Sequence, residues 1–396
     1  MTEQKSQELF ASRVLGVAPS PTLAVSQRAR ELRAEGIDVI DLGGGDPDFI
    51  TPAHIREAAA AAMNAGDTHY APSPGTPALL EAIAKKLHED NEIAVNPKTD
   101  IIVTPGGKSA IFQAIMAFVE PGVDVMLLEP AWVSYKPMVE LAGGRAIGVP
   151  LSPDNQFAIT RDILEEYVTP QTRIILLNSP NNPTGRVATI DELTTIADFA
   201  KAHDIIVFTD EMYEKIIFGD NVHISIATLP DMHERTLTFN GLSKAYAMTG
   251  WRLGYVAGPT NFIKKISLLQ SHSVTCATSF AMAGAVAAYS GPQDIIHEMV
   301  AAWDRRRALI TDGLNAINGL HVDPIEGAFY GYVDGRGTGM SIEDLCTKLL
   351  DDAHVAVVPG TAFGDSCTGH FRLSFATSDE LLQHSLDRIG NVLGYK

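Results

Sequence analysis

Residues 239–254 read FNGLSKAYAMTGWRLG, and this stretch decides how the rest of the chain is interpreted. A strand-like run, TLTF at residues 236–239, leads into it, and a small, flexible turn then presents Lys244. Arg252 follows eight positions later. Because the lysine lies among Gly, Leu, Ala and Met, it is partly desolvated, which makes a neutral amine available to attack a carbonyl.

Three further polar clusters follow apolar runs that are typical of buried strands. They are IIVTPGGKS at 101–109, RIILLNSPNNPTG at 173–185 and IIVFTDEMY at 205–213. Ligands of parallel sheets bind beyond the carboxyl ends of the strands, and all three clusters fall at such ends. A reactive lysine beside such a site fits Schiff-base chemistry, and pyridoxal phosphate (PLP) is the cofactor that most often uses it.

The four stretches together resemble the class I aminotransferases of the fold-type I PLP family, and most of all the bacterial aspartate aminotransferases. Residues 241–254 match the family's lysine signature at most positions. The turn with Asn182, the pair Asp210 and Tyr213, and FRLS at 371–374 occur in the family's order. The resemblance covers nearly the whole chain. It implies a homodimeric enzyme that transfers an amino group between an L-amino acid, aspartate or glutamate, and a 2-oxo acid by a ping-pong mechanism.

Length and patterning predict an α/β protein with two domains. The chain has 396 residues, and a single core rarely grows beyond about 250–300. From residue 100 to 258, apolar runs alternate with helical patterns, which indicates a mainly parallel sheet with helices on both faces. We expect a large PLP-binding domain at 49–290. Residues 1–48, including an N-terminal arm, and 291–396 would form a smaller α+β domain.

Composition restricts the partners and the compartment. Thirty basic and 48 acidic side chains give a formal charge of −18, which argues against nucleic acid and anionic membranes as partners. The chain has neither an apolar signal core at its start nor an apolar run near the ~20 residues that span a bilayer. Three scattered cysteines, Cys276, Cys346 and Cys367, give neither a disulfide framework nor a zinc pattern. We therefore expect a cytoplasmic enzyme with small-molecule substrates and no metal.

The resemblance also implies which residues contact the cofactor. Asp210 would hold the ring nitrogen, and Tyr213 and Asn182 would donate to the ring's phenolate oxygen. Trp132 would stack on the ring, and Arg252 would bind the phosphate. Without the family, Asp210 could equally be a turn acid and Trp132 a core residue. The remaining predicted cofactor contacts are Gly106, Gly107 and Lys108 at a helix start, Ser243, Lys244, and Tyr70 from the neighbouring subunit.

A second set of residues is predicted to bind the substrate. Arg372 lies in a strand where Phe371 and Leu373 point to the opposite face, so it could bind the α-carboxylate as a bidentate pair. Lys108, assisted by Thr22, would bind the distal carboxylate of an acidic substrate; alternatively, it serves only the helix start or the phosphate. The full predicted substrate set is Gly45, Trp132, Asn182, Arg372, Lys108 and Thr22.

The sequence also departs from the family and leaves alternatives open. Many relatives carry a serine where this chain has Gly241, so one phosphate contact is in doubt. An acceptor such as prephenate, or a PLP-dependent β-eliminating lyase on the same fold, would fit the same motifs. The arginine triplet at 305–307 is interpreted as the solvated face of a long helix.

Overall fold

The computed structural model describes residues 9–396, and its strands divide between one large sheet and two small ones. The strands are β1 (Ile40–Asp41), β2 (Ile101–Thr104), β3 (Asp124–Glu129), β4 (Arg145–Pro150), β5 (Thr172–Asn178), β6 (Ile206–Asp210), β7 (Thr236–Gly241), β8 (Gly254–Ala257), β9 (Tyr330–Asp334), β10 (Val355–Ala356), β11 (Val358–Pro359) and β12 (His370–Ser374).

The large sheet has seven strands in the order β2–β8–β7–β6–β5–β3–β4. Strand β8 runs antiparallel to both of its neighbours, and the other pairs are parallel. Along β3, Val125 and Leu127 pack into one apolar cluster, and Met126 and Leu128 pack into another. Both faces of the strand are therefore buried, as its continuous apolar run predicts. The predicted α/β fold with a mainly parallel sheet is confirmed.

Helices cover both faces of this sheet and join the smaller sheets. No helix within residues 9–396 has the length and apolar character needed to span a bilayer. The helices are α1 (Ser12–Leu15), α2 (Pro21–Ala34), α3 (Ala53–Asn64), α4 (Pro77–Asn91), α5 (Gly107–Phe118), α6 (Tyr135–Leu141), α7 (Arg161–Tyr167), α8 (Ile190–Ala202), α9 (Thr260–Ser273), α10 (Ser279–Ser290), α11 (Asp294–Asn315), α12 (Ile342–Asp351) and α13 (Asp379–Leu393).

The small sheets connect the two ends of the chain. Strand β1 pairs in parallel with β10, and β12 pairs antiparallel with β11 and β9. Helix α11 packs on α13 and on β9. The segment that follows β1 thereby leads from these sheets towards the large one.

Arg306 of α11 corrects one interpretation of the sequence. Its side chain is buried, and it forms ion pairs with Asp48 at 2.9 Å and Asp379 at 2.7 Å. The guanidinium also lies 5.5 Å from the ring centre of Phe49. The prediction that the arginine triplet forms a solvated face is wrong for this residue, because two carboxylates compensate its buried charge.

Candidate active site

A cavity of about 390 Å³ opens at the carboxyl ends of β5, β6 and β7. These strands end side by side because they are parallel and in register, with Asn178 of β5 opposite Asp210 of β6. The structure brings most of the predicted site residues to this cavity. Those that line it are Thr22, Gly45, Gly107, Lys108, Trp132, Asn182, Asp210, Tyr213, Ser243, Lys244, Arg252 and Arg372.

Two predicted residues do not line the cavity in the single chain. Gly106 immediately precedes Gly107, which does line the cavity. It lies against Arg252: a Cβ at Gly106 would be 2.5 Å from Nη2 of that arginine. Tyr70 is 89% exposed, outside the cavity. A contact of Tyr70 with a site in another subunit therefore stays a prediction.

Lys244 lies on the turn that follows β7, as the signature predicts. Its Nζ donates a hydrogen bond to the backbone oxygen of Gly45. The rings of Tyr213 and Phe329 have their centres 5.9 Å and 5.8 Å from the same nitrogen. Within residues 9–396 the amine is thus enclosed by a carbonyl and aromatic faces and forms no ion pair with an acid, which suits a group that must form a covalent bond.

Asp210 ends β6 and is buried. Its Oδ2 accepts a hydrogen bond from the Tyr135 hydroxyl at 2.7 Å, and its Oδ1 accepts one from the Met212 amide at 3.2 Å. Burial raises the pKa of this carboxyl to about 6, although both hydrogen bonds oppose the shift. A positive charge placed beside it, such as a protonated ring nitrogen, would stabilise the ionised form.

Tyr213 and Asn182 present hydrogen-bond donors to the cavity. The hydroxyls of Tyr213 and Tyr330 lie 2.8 Å apart, and burial holds the pKa of Tyr213 well above its usual value, so it stays protonated. The amide oxygen of Asn182 accepts from Arg372 at 2.9 Å. Because that oxygen is occupied, the amide nitrogen of Asn182 remains as the donor for a ligand.

The opposite end of the cavity suits an anion. Helix α5 begins at Gly107 without a side-chain cap, so its first backbone N–H groups are free for a ligand. Arg252 donates through Nη1 to the Thr249 carbonyl at 2.8 Å, and Ser243 lines the same cavity. Main-chain donors, a guanidinium and a hydroxyl together match a phosphate group.

The glycines around this anion site bring backbones into direct contact. A Cβ at Gly254 would overlap the backbone of Gly106 and Gly107. At Gly241, a Cβ would lie 2.9 Å from both the Gly254 Cα and the Leu253 oxygen. This backbone therefore leaves no room for a side chain at position 241, so Gly241 contributes only its main chain to the site.

Arg372 is the most deeply buried cation of the site. Its Nη1 donates to Asn182 Oδ1 at 2.9 Å and its Nη2 to the Gly43 oxygen at 2.6 Å, whereas its buried Nε has no partner. The guanidinium lies 4.4 Å from the ring centre of Tyr330, and burial lowers its pKa. Within residues 9–396 it forms no ion pair with an acid, so its charge is available to an anionic ligand.

Lys108 and Trp132 form the side of the cavity next to the anion site. Nζ of Lys108 lies 4.8 Å from the centre of the Trp132 ring. Burial lowers the pKa of Lys108, and the nearby charges of Arg252 and Lys244 lower it further. Thr22 of α2 lines the same cavity. This part of the site therefore holds a second cation besides the phosphate-side arginine.

Sequence reasoning missed several polar residues of the site, among them Tyr135, Tyr330 and Asn178. Tyr135 begins α6, and its backbone amide donates a hydrogen bond to the Trp132 oxygen at 3.1 Å, so its closeness to Trp132 in the sequence was a usable signal. Asn178 ends β5, and its Oδ1 accepts a hydrogen bond from the backbone amide of Asn182 at 2.8 Å. Its place at a strand end was a usable signal in the sequence. Tyr330 begins β9, far along the chain, and no local pattern marks it.

The donors and acceptors around the cavity fit PLP. A phosphate would meet the start of α5 and Arg252, a ring nitrogen would meet Asp210, and an aldehyde would meet Lys244. The fold and the site thus define a PLP-dependent enzyme.

Comparison with known proteins identifies the family. Residues 37–389 match the sequence model of the family Aminotransferase class I and II. The chain belongs to this family and is a PLP-dependent aminotransferase, which moves an amino group between an amino acid and a 2-oxo acid.

Individual relatives agree over almost the full length. The chain is 44% identical over 384 residues to the aspartate aminotransferase of Musicola paradisiaca, covering 97% of this chain and 96% of that protein. It is 40% identical over 397 residues to the aspartate/prephenate aminotransferase of Nitrosomonas europaea, covering 97% and 99%. The solved aspartate aminotransferase of Thermus thermophilus with maleate superposes with a TM-score of 0.93 at 40% identity, covering 97% of this chain and 99% of that one.

Proposed function

We propose that this enzyme exchanges amino groups between aspartate or glutamate and a 2-oxo acid, in the two half-reactions of a ping-pong cycle. The observation that carries the proposal is the pair of cations around one cavity. Among residues 9–396, buried Arg372 has no acidic partner and its Nε has no hydrogen-bond partner, and Lys108 lines the same cavity. Two separate cations match the two carboxylates of an acidic amino acid.

We propose the following contacts for the cofactor. Arg252, Ser243 and the start of α5 at Gly107 hold the phosphate. Asp210 accepts a hydrogen bond from the ring nitrogen, and Tyr213 donates one to the phenolate oxygen. The remaining proposed contacts are Asn182 to the phenolate oxygen, Trp132 stacked on the ring, Gly106 and Lys108 beside the phosphate, Lys244 at the aldehyde carbon, and Gly45 beside the substrate. Bound there, PLP supplies an aldehyde for the amino group and a conjugated ring that takes up the electron pair left at Cα.

We propose separate roles for these residues in binding the substrate and in proton transfer. The Arg372 fork holds the α-carboxylate and so orients the Cα–H bond towards Lys244. With its amine free, Nζ of Lys244 would take the proton from the substrate Cα as general base and would release a proton again as general acid. Tyr213 keeps its own proton throughout, because its burial disfavours the phenolate.

The relatives' names support an acidic substrate. The Thermus thermophilus structure contains maleate, which is a dicarboxylate, and the Nitrosomonas europaea relative is named for aspartate and prephenate. Prephenate is also a dicarboxylate, so it could use the same two cations as an acceptor. We propose it as a second acceptor, to be tested beside 2-oxoglutarate and oxaloacetate.

A substrate screen with Lys108→Ala tests the acidic preference. The PLP forms of the wild type and the variant are mixed with single amino acids, and loss of the cofactor's visible absorbance is followed. Loss of one charged hydrogen bond costs about 1.5–3 kcal/mol, which is roughly ten- to hundredfold. We expect kcat/KM for aspartate and glutamate to fall by that factor in the variant, and that for alanine to change little.

Lys136→Ala is the matched control, since Lys136 is half-exposed and pairs with Asp365 on the surface. It should leave both substrate classes unchanged. An equal loss for aspartate and alanine in Lys108→Ala would assign Lys108 to the phosphate instead. Steady release of ammonia and pyruvate from a β-substituted amino acid would favour the lyase.

We propose that the active unit is a homodimer in which Tyr70 completes the phosphate site of the neighbouring subunit. The exposure of Tyr70 supports this, because it leaves the ring and the hydroxyl free to contact another subunit, and tyrosine is enriched at protein interfaces. Phe112 and Met116, on the helix that begins at the anion site, are also partly exposed at 37% and 41%.

Hybrid dimers of Lys244→Ala and Tyr70→Phe subunits test the shared site. Each hybrid would contain one site with both lesions and one with neither. An equal mixture should therefore recover up to about a quarter of the wild-type activity, since half of randomly formed dimers are hybrids. Activity that never rises above the average of the two parents would show that Tyr70 serves its own subunit.

We also propose the division into domains and the compartment. The large sheet lies within 49–290, whereas β9 to β12 lie within 291–396, where β10 pairs with β1 of the segment 1–48. The cysteines Cys276, Cys346 and Cys367 are free thiols, which supports a reducing compartment such as the cytoplasm.

A further inference from the structure

The turn that carries Asp210 and Tyr213 has a second, buried face. Asp210 and Tyr213 line the cavity, whereas Glu211 and Glu214 do not. The turn is closed by backbone hydrogen bonds, including one from the Glu214 amide to the Glu211 oxygen at 3.0 Å. The two glutamates and the two cavity residues thus lie on opposite sides of one tight turn. A displacement of Glu211 or Glu214 would therefore also displace Asp210 and Tyr213.

The two glutamates belong to a continuous buried network. Lys86 of α4 forms an ion pair with Glu214 and donates to Asn91 Oδ1 at 2.6 Å. Asn91 in turn donates to Glu214 at 2.6 Å and to the Ser225 hydroxyl at 3.0 Å. The remaining contacts of the network are Ser225 to Glu211 at 2.6 Å, Thr209 to Glu211 at 3.2 Å, and His223 Nε2 to Glu211 at 3.0 Å.

The acidic and basic side chains of this network lie in pairs. Lys86 and Glu214 are one pair, and His223 and Glu211 are the other, with the side chains of all four at least nine-tenths buried. The neighbouring glutamates raise the pKa of His223 against the opposing effect of its burial. Such a cluster adds little net stability, since desolvation offsets most of the attraction, but it fixes the geometry of the groups that it joins.

A metal ion does not explain the cluster. Ligand atoms of Glu211, Glu214 and His223 do lie within 4.8 Å of one another. However, the Lys86 ammonium is bonded to Glu214 at the same place and supplies the cation. Because an ammonium beside the ligands repels a metal ion, the cluster is a closed ionic network.

We propose that the network of Lys86, Asn91, Glu211, Glu214 and His223 is the positioning device that fixes the turn bearing Asp210 and Tyr213 against the cofactor. The inference rests on the proposed cofactor roles of those two residues. Helix α4 and the segment at His223 and Ser225 hold the turn from behind, so the carboxylate and the phenol meet the cofactor in one fixed geometry.

The paired variant Lys86→Met/Glu214→Met tests this. It removes both charges together and keeps their volume, so no unpaired buried charge remains and the protein should still fold. The holoenzyme is characterised by its melting temperature, its kcat, and the midpoint of the pH titration of the cofactor's visible band. If the turn is released by about 1 Å, kcat should fall about a hundredfold, with a smaller change in KM. The titration midpoint should rise by about one unit, because donation from Tyr213 weakens.

Two reference variants make the outcome decisive. Asp124→Asn/Arg145→Met removes a carboxylate and its basic partner at the other end of the sheet, and it should change neither kcat nor the midpoint. Tyr213→Phe should raise the midpoint directly. If Tyr213→Phe raises the midpoint and the Lys86/Glu214 pair does not, the network has no positioning role, although the cofactor contact stands. If Tyr213→Phe also leaves the midpoint unchanged, the proposed cofactor role fails, and the inference fails with it.

Discussion

Replacement of Lys244 by alanine should lower kcat for amino-group transfer by about 10⁴-fold or more, because one amine serves as both covalent attachment point and proton carrier. The structure offers no substitute at the same place. Lys108 lies beside Trp132 in another part of the cavity, and Arg252 and Arg372 carry guanidinium groups, which do not replace an amine nucleophile. The variant should still bind PLP through the phosphate and ring contacts, but without a covalent bond.

Borohydride reduction checks the attachment directly. In the wild type, it should fix the cofactor to the peptide that contains Lys244, and in Lys244→Ala it should fix none. Lys264→Ala, on the exposed face of α9, is the control and should retain full labelling and activity. Labelling of a different lysine in the wild type would overturn the assignment.

Replacement of Arg372 should have the second largest effect, and it should affect every substrate. Truncating one partner of a buried charged pair costs about 2–5 kcal/mol, so Arg372→Leu should lower kcat/KM about 30- to 5,000-fold. Since all amino acids and 2-oxo acids carry the α-carboxylate, aspartate and alanine should lose equally, unlike in Lys108→Ala. The kcat/KM of Arg372→Lys should lie between those of the wild type and Arg372→Leu, because an ammonium keeps the charge but loses the two-pronged geometry of the guanidinium.

The control for this prediction is Arg305→Leu, an exposed arginine of α11, which should leave kcat/KM unchanged. Melting temperatures separate binding from folding. The Leu variant leaves only the neutral oxygens of Asn182 and Gly43 without their donor, at about 1–3 kcal/mol each, so it should still fold. A loss confined to acidic substrates would show that Arg372 binds the distal carboxylate.

The sequence predicted the site residues best where they lie at the ends of strands or on one face of a strand. Apolar runs located the strands of the large sheet, and parallel strands end at one edge, so Asn182, Asp210 and Lys244 could be placed together from the order of residues alone. Arg372 could be assigned to one strand face from the alternation of Phe371 and Leu373. That no acid in the described part of the chain pairs with it could not be predicted, because ionic pairing depends on long-range packing.

The buried network shows the opposite limit. Lys86, Glu214 and His223 look like ordinary surface charges in the sequence, since nothing local signals that a lysine on α4 will meet a glutamate over a hundred residues later. Arg306 was misread for the same reason: its carboxylates, Asp48 and Asp379, lie in distant segments. Ion pairs that form through tertiary packing produce no periodic pattern in the sequence, whereas a strand or a helix does.

The contacts among the glycines at the anion site have a consequence for how this protein can evolve. Gly254 lies against Gly106 and Gly107, and Gly241 lies against Gly254, so backbone touches backbone with no side chain between them. A replacement at Gly241 or Gly254 therefore has to displace backbone atoms, whereas a Cβ at Gly106 or Gly107 would meet the side chains of Arg252 and Met212. Evolutionary change around the anion site should therefore occur mainly in the side chains that surround Gly241 and Gly254. The main chain at these two glycines should change only when several positions change together.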